Sequence, residues 1–217
     1  MKNILFLFAV FFITTGTIQA TELIYEIKSG EETDNFYLTI TENDSGTTYT
    51  SRYRSLTQVY VYDSRNNTRE WRYEDSQTNT AYIAVRSGTR IRVTGRLNGK
   101  PVQKALTVPD YVWGQNGEYA LIDFVKSGRP YEDFFVIKPD DLTVNRMRMR
   151  KEETEEIVLG GKKIQTIRYK AQLHGLLALL WQAHYWYRLP DYAFILYKTE
   201  GAPGIPGSEI RLINESY

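Results

Sequence analysis

The stretch Phe36-Tyr37-Leu38-Thr39-Ile40-Thr41 decides the fold, because Phe36, Leu38 and Ile40 fall on one side of an extended chain and Tyr37, Thr39 and Thr41 on the other. A helix would scatter the three apolar groups around its axis; a strand buries them on one face. The same beat runs outward in both directions. Before it, Leu23, Tyr25 and Ile27 alternate with mostly charged neighbours, and after it Asp44-Ser45-Gly46 turns the chain into a strand over residues 49–54. Val59 and Val61 with their tyrosine partners make another, and Arg65-Asn66-Asn67 turns into Glu70-Trp71-Arg72-Tyr73. Residues 82–85 and 91–94 lead to Asn98-Gly99, a pair whose tolerance of positive φ suits a tight hairpin. Beyond residue 130 the pattern resumes at 134–137 and 142–150, then in the hairpin Ile157-Val158-Leu159, Gly160-Gly161, Lys162-Lys163-Ile164. Connections this short forbid parallel crossovers, so the expected fold is mainly β: a large curved antiparallel sheet or open half-barrel.

One segment follows another period. Leu121, Phe124 and Val125 recur at helical spacing between Asn116, a candidate N-cap, and Gly128, a stop before Pro130. The expectation is one short helix packed on the sheet, reached through a connection at 109–117 that carries Trp113 across between two groups of strands.

The first twenty residues read as a signal peptide. Met1-Lys2-Asn3 is a short positive start, residues 4–13 are continuously apolar, and residues 14–20 become smaller before Thr21. Cleavage after Ala20 would leave 21–217 as a single β-rich domain, exported to the periplasm or secreted. No cysteine occurs anywhere, which excludes a disulfide framework, a thiolate metal site and a cysteine nucleophile. With 27 basic against 26 acidic side chains the formal charge is +1, which argues against a nucleic acid or an anionic surface held by bulk charge.

The candidate binding residues come from the one stretch where alternation fails, Gly175-Leu176-Leu177-Ala178-Leu179-Leu180-Trp181-Gln182-Ala183-His184-Tyr185-Trp186-Tyr187. It reads either as a strand buried on both faces or as an apolar wall offered to a lipid, a membrane or another protein. On the second reading Leu176, Leu179, Leu180, Trp181, Tyr185 and Trp186, together with Trp113, form a ligand wall. The seventeen tyrosines suit a sheet whose concave face cradles a ligand, and equally suit cross-strand packing.

Catalytic patterns are sparse. His174 and His184 lack the spacing of a helical metal pair, and neither a nucleophile elbow nor a phosphate loop occurs. Arg146, Arg148 and Arg150 share a strand face, with Met147 and Met149 opposite, and the glutamates at 152, 153, 155 and 156 suggest a neutralising charge ladder. Asp110, Asp123, Asp133, Asp140 and Asp141 supply carboxylates for a glycosidase pair only if the fold sets them at the right separation.

Phe134-Phe135-Val136-Ile137, residues 147–150, the Gly160-Gly161 hairpin, Tyr185-Trp186-Tyr187 and the strand at 194–198 together resemble a family of exported bacterial β-proteins of uncharacterised function. The resemblance, over residues 110–213, implies a periplasmic antiparallel protein similar to the open half-barrels that carry lipids or lipoproteins across the Gram-negative envelope. It brings no catalytic residues. The expected role is non-catalytic binding of an apolar or amphipathic ligand, a lipid for example, without cofactor, metal or nucleic acid and with transient contact to envelope membrane or proteins. The alternative is a secreted glycan-acting hydrolase using paired carboxylates.

Overall fold

A computed structural model describes residues 19–64, 66–175, 181–200 and 207–216. The chain is mainly β, as its alternation requires. The first meander comprises β1 (Gln19–Ser29), β2 (Glu32–Asn43), β3 (Gly46–Tyr53), β4 (Leu56–Tyr62), β5 (Thr68–Asp75), β6 (Thr80–Ser87), β7 (Arg90–Leu97) and β8 (Lys100–Thr107). The second comprises β9 (Val112–Trp113), β10 (Tyr131–Ile137), β11 (Val144–Leu159), β12 (Lys162–Leu173), β13 (Gln182–Arg188), β14 (Phe194–Thr199) and β15 (Ser208–Ser216). All belong to one sheet, in which β1 pairs with β15, β8 forms one edge and β9 the other. Among the described residues every pairing is antiparallel except the short parallel contact between β9 and β10.

This order dictates the shape. Fifteen strands at about 4.8 Å spacing would make a flat sheet roughly 67 Å wide. Yet β8 ends at Thr107 and β9 begins at Val112, a link that reaches at most roughly 18 Å. The two edges must therefore come together, and the sheet rolls. The closing contacts are direct: Thr68 Oγ1 of β5 donates to the Trp113 carbonyl of β9 at 2.7 Å, and Arg86 Nη1 of β6 donates to the Tyr111 carbonyl at 2.9 Å. Tyr82 donates its hydroxyl to the Pro139 carbonyl at 3.4 Å.

The roll overlaps itself. Successive strand residues face opposite ways, yet Phe134 and Phe135 are both buried, so both faces of β10 are covered. Phe135 stacks on Trp113 with ring centroids 6.3 Å apart and lies under the Arg86 guanidinium of β6, 5.3 Å from its centroid. Phe134 points into the chamber described below.

The turns follow the residues that allow them. Asn98 and Gly99 (φ 51° and 76°), and Gly160 and Gly161 (φ 55° and 77°), occupy the left-handed region at the β7–β8 and β11–β12 hairpins. The expected strand at 142–150 starts later, at Val144, because Leu142 takes φ 61° in a turn and buries its side chain. Met147 and Met149 are buried while Arg146 and Arg150 are exposed, as the alternation requires. The charge ladder is arranged differently from the expectation. Arg148 forms a two-pronged pair with Asp133 on β10, at 2.6 and 2.7 Å, because the antiparallel register sets those two residues side by side. Glu152, Glu153 and Glu155 converge instead on Arg168 of β12.

Candidate functional site

The helical segment does more than pack on the sheet; it sits within the roll. It consists of α1 (Gly117–Ala120) and α2 (Ile122–Ser127), ended by Gly128 in the left-handed conformation. Asn116 holds the N-cap position without a side-chain capping bond, although its carbonyl accepts from the Tyr119 and Ala120 N–H groups. Hydroxyl groups of the surrounding strands fasten the segment. Tyr187 of β13 donates to the Glu118 carbonyl at 3.0 Å, and Tyr169 of β12 donates to the Val125 carbonyl at 3.1 Å. Tyr119 exchanges a hydrogen bond with the Tyr25 hydroxyl of β1 and packs against Tyr49 of β3, ring centroids 4.8 Å apart. Three strand tyrosines, Tyr25, Tyr169 and Tyr187, thus hold the plug through their hydroxyls.

Gln115 pins the entry to the segment. Its Oε1 accepts from the Trp113 indole N–H at 3.0 Å and from the Ile137 N–H at 2.8 Å, and its Nε2 donates to the Ile137 carbonyl at 2.9 Å. Both lone pairs of Oε1 and one Nε2 hydrogen are used, and the two bonds to Ile137 fix the crossing segment's register on β10.

The segment leaves a cavity on each side. The first, about 260 Å³, lies against the inward faces of β1 to β4, with Ile27, Phe36, Leu56, Tyr60, Tyr119 and Phe194 among its walls. The second, about 520 Å³, lies against β10, β11 and β13, with Phe134, Val136, Met147, Leu173, Trp181 and Tyr185 among its walls. Gln115 and Glu118 line both. Glu118 is the one charged side chain among the described residues of the first cavity. Burial pushes its carboxyl above the ordinary carboxylate range, opposed by a hydrogen bond from its own backbone N–H.

Trp181 and Tyr185, expected as wall residues, therefore meet at the second cavity. Trp113 is fully buried beside it, stacked on Phe135, and acts on the chamber through Gln115. Trp186 lies on the opposite face of β13 from Tyr185, since neighbours in a strand diverge. There its indole N–H donates to Glu155 at 2.8 Å, beneath the Arg168 guanidinium. Leu176, Leu179 and Leu180 lie outside the described residues, as do residues 1–18 of the segment expected to be a signal peptide. From Gln182 onward the apolar run is a strand buried on both faces, with Ala183, Tyr185, Trp186 and Tyr187 all covered.

The carboxylates weighed for hydrolysis have other engagements. Asp133 is held by Arg148, which keeps its carboxyl below the usual range, and Lys138 bridges Asp140 and Asp141. Asp123 accepts from Asn66 at 3.0 Å, and Asp110 is almost wholly exposed beside Arg86.

A rolled, self-overlapping sheet around an internal helical plug defines a β-barrel-like class of protein. No family model matches the chain, and no curated protein matches it. Among solved structures, the crystal structure of a β-barrel-like protein of the domain of unknown function DUF1849 from Brucella abortus is similar, with a TM-score of 0.65. The match covers 91% of this chain and 97% of that one at 10% sequence identity, and the likeness is one of fold. At 91% of this chain it extends well beyond residues 110–213, so the fold likeness takes in strands of both meanders.

Proposed function

We propose that this protein is an exported, non-catalytic binding protein of the bacterial envelope, which holds an apolar or amphipathic ligand inside the roll. The observation that carries the reading is the first cavity: about 260 Å³ bounded mainly by aromatic and aliphatic side chains, with polar groups from β3, β4 and the residues 115–118. The cavity opens to solvent, so its apolar wall stays hydrated until a ligand covers it. Its mechanism is reversible shielding, in which apolar surface leaves water on binding and the polar groups fix the orientation of the ligand. The signal-peptide pattern of residues 1–20 supports export, and the protein would meet its ligand at the envelope.

N-phenyl-1-naphthylamine, which fluoresces strongly only out of water, tests this directly. Wild-type protein should bind one equivalent with saturable enhancement. Ile27→Trp, placing an indole where a half-buried isoleucine lines the cavity, should weaken binding at least tenfold while cooperative unfolding is retained. Equal binding by the two proteins would move the probe elsewhere and remove the support for an internal site.

A further inference from the structure

We propose that the ligand of this chamber carries a cationic amine, and that Glu118 is the group that recognises it. The inference rests on the binding reading above and adds the chemistry of the ligand's head.

Glu118 is placed where a carboxylate has no structural reason to be. It belongs to the plug, lines both cavities and is the sole charged group among the described walls of the first. Among the described residues its hydrogen-bond donor is its own backbone N–H, which leaves most of its acceptor capacity open. The one cation among the described walls of the two cavities is Lys138, already engaged by Asp140 and Asp141. Glu118 is half-buried, and ionising a carboxylate partly withdrawn from water is costly unless a cation pairs with it.

The groups facing it from the packed elements are neutral. They are Tyr25 of β1, Tyr60 and Tyr62 of β4 and Tyr119 of the plug, all with hydroxyl pKa raised by burial and then by the Glu118 charge or its neighbours. Tyr185 and Tyr187 of β13 and Tyr197 of β14 behave likewise, burial first and Glu118 second. None of these can supply positive charge, whereas a bound ammonium can. The Asn116 side chain, which makes no capping bond and lines the same cavity, offers a second acceptor. The rings of Phe36, Tyr60 and Tyr119 supply the faces that organic cations favour. An apolar tail fits the remaining wall.

The proton balance follows. Below the folded-state pKa of Glu118, which burial raises, the carboxyl is protonated; an incoming alkylammonium keeps its own proton, and Glu118 gives one up to solvent as it ionises beside it. No other bond is made or broken. Affinity therefore rises with pH through the folded-state pKa of Glu118, since below it the proton must be expelled and above it the carboxylate is already charged.

Calorimetric titration of the protein with octylammonium, octanol and octanoate tests this. Octylammonium should bind at least tenfold more tightly than octanol, and octanoate most weakly. Below the Glu118 pKa, measurements in two buffers of different ionisation enthalpy should show up to one proton released per octylammonium bound. Glu118→Gln should abolish both the preference and the proton release while leaving octanol affinity within threefold. Octanol binding as tightly as octylammonium without proton release would overturn the amine inference and leave the chamber reading standing; binding of none of the three would overturn both. The two-buffer measurement uses wild-type protein alone and decides the question even if the variant fails to fold.

Discussion

Trp113→Ala should cost the protein about 3–5 kcal/mol of unfolding free energy, the range for removing a large aromatic from a core. Trp113 is fully buried, its ring lies on Phe135, its indole N–H satisfies Gln115 and its carbonyl accepts from Thr68. Truncation thus removes the ring at the overlap and loosens Gln115, which ties the plug to β10. For a chain of this length the thermal midpoint should fall by roughly 6–20 °C. Urea unfolding gives the free energy directly, and a loss below about 1 kcal/mol would show that the overlap does not hold the roll closed.

Gly95→Ala should be nearly as damaging, at about 2–4 kcal/mol, although it adds only a methyl group. Gly95 lies opposite Tyr82 in the β6–β7 pair with φ at +144°, a conformation that L side chains rarely adopt. A Cβ there would stand 2.3 Å from the Ala81 carbonyl oxygen and 2.6 Å from the Tyr82 Cα, and these are backbone atoms that cannot rotate away. Relief requires β7 to move from β6. That would disturb Tyr82, which stacks on Tyr73 at 5.2 Å, meets Trp71 edge-on and reaches across the closure to Pro139. Chemical denaturation checks the magnitude; a variant as stable as wild type would mean that the two strands are not held at this spacing.

The strands were legible in the sequence because a half-buried sheet leaves a period of two in any chain that forms it, as at 36–41 and 91–94. The hairpin turns were legible because so few residues accept positive φ, and Gly160-Gly161 and Asn98-Gly99 are among them. The closure was not legible. It needs the edges β8 and β9 to meet after β1 and β15, the first and last described strands, pair in the middle of the sheet, and alternation says which face a residue takes but not which strand lies beside it. The site was half legible for the same reason. Tyr185 and Trp181 reach a cavity, whereas strand alternation separates Tyr185 from Trp186, a distinction available from the sequence once 182–187 is read as a strand. Glu118 was missed because an acidic residue in the first turn of a short helix ordinarily signals a solvated end. Only the placement of that helix inside the roll, fixed by tyrosines far apart in the chain, turns the same residue inward.

The most direct test of the chamber is native mass spectrometry of the protein isolated from its own host without detergent, followed by extraction and identification of whatever leaves with it. A discrete mass above that of the polypeptide, released by organic solvent as an apolar or amphipathic molecule and diminished in Ile27→Trp, is the predicted result. Wild-type protein that flies only at its polypeptide mass, and still takes up no N-phenyl-1-naphthylamine, would contradict it.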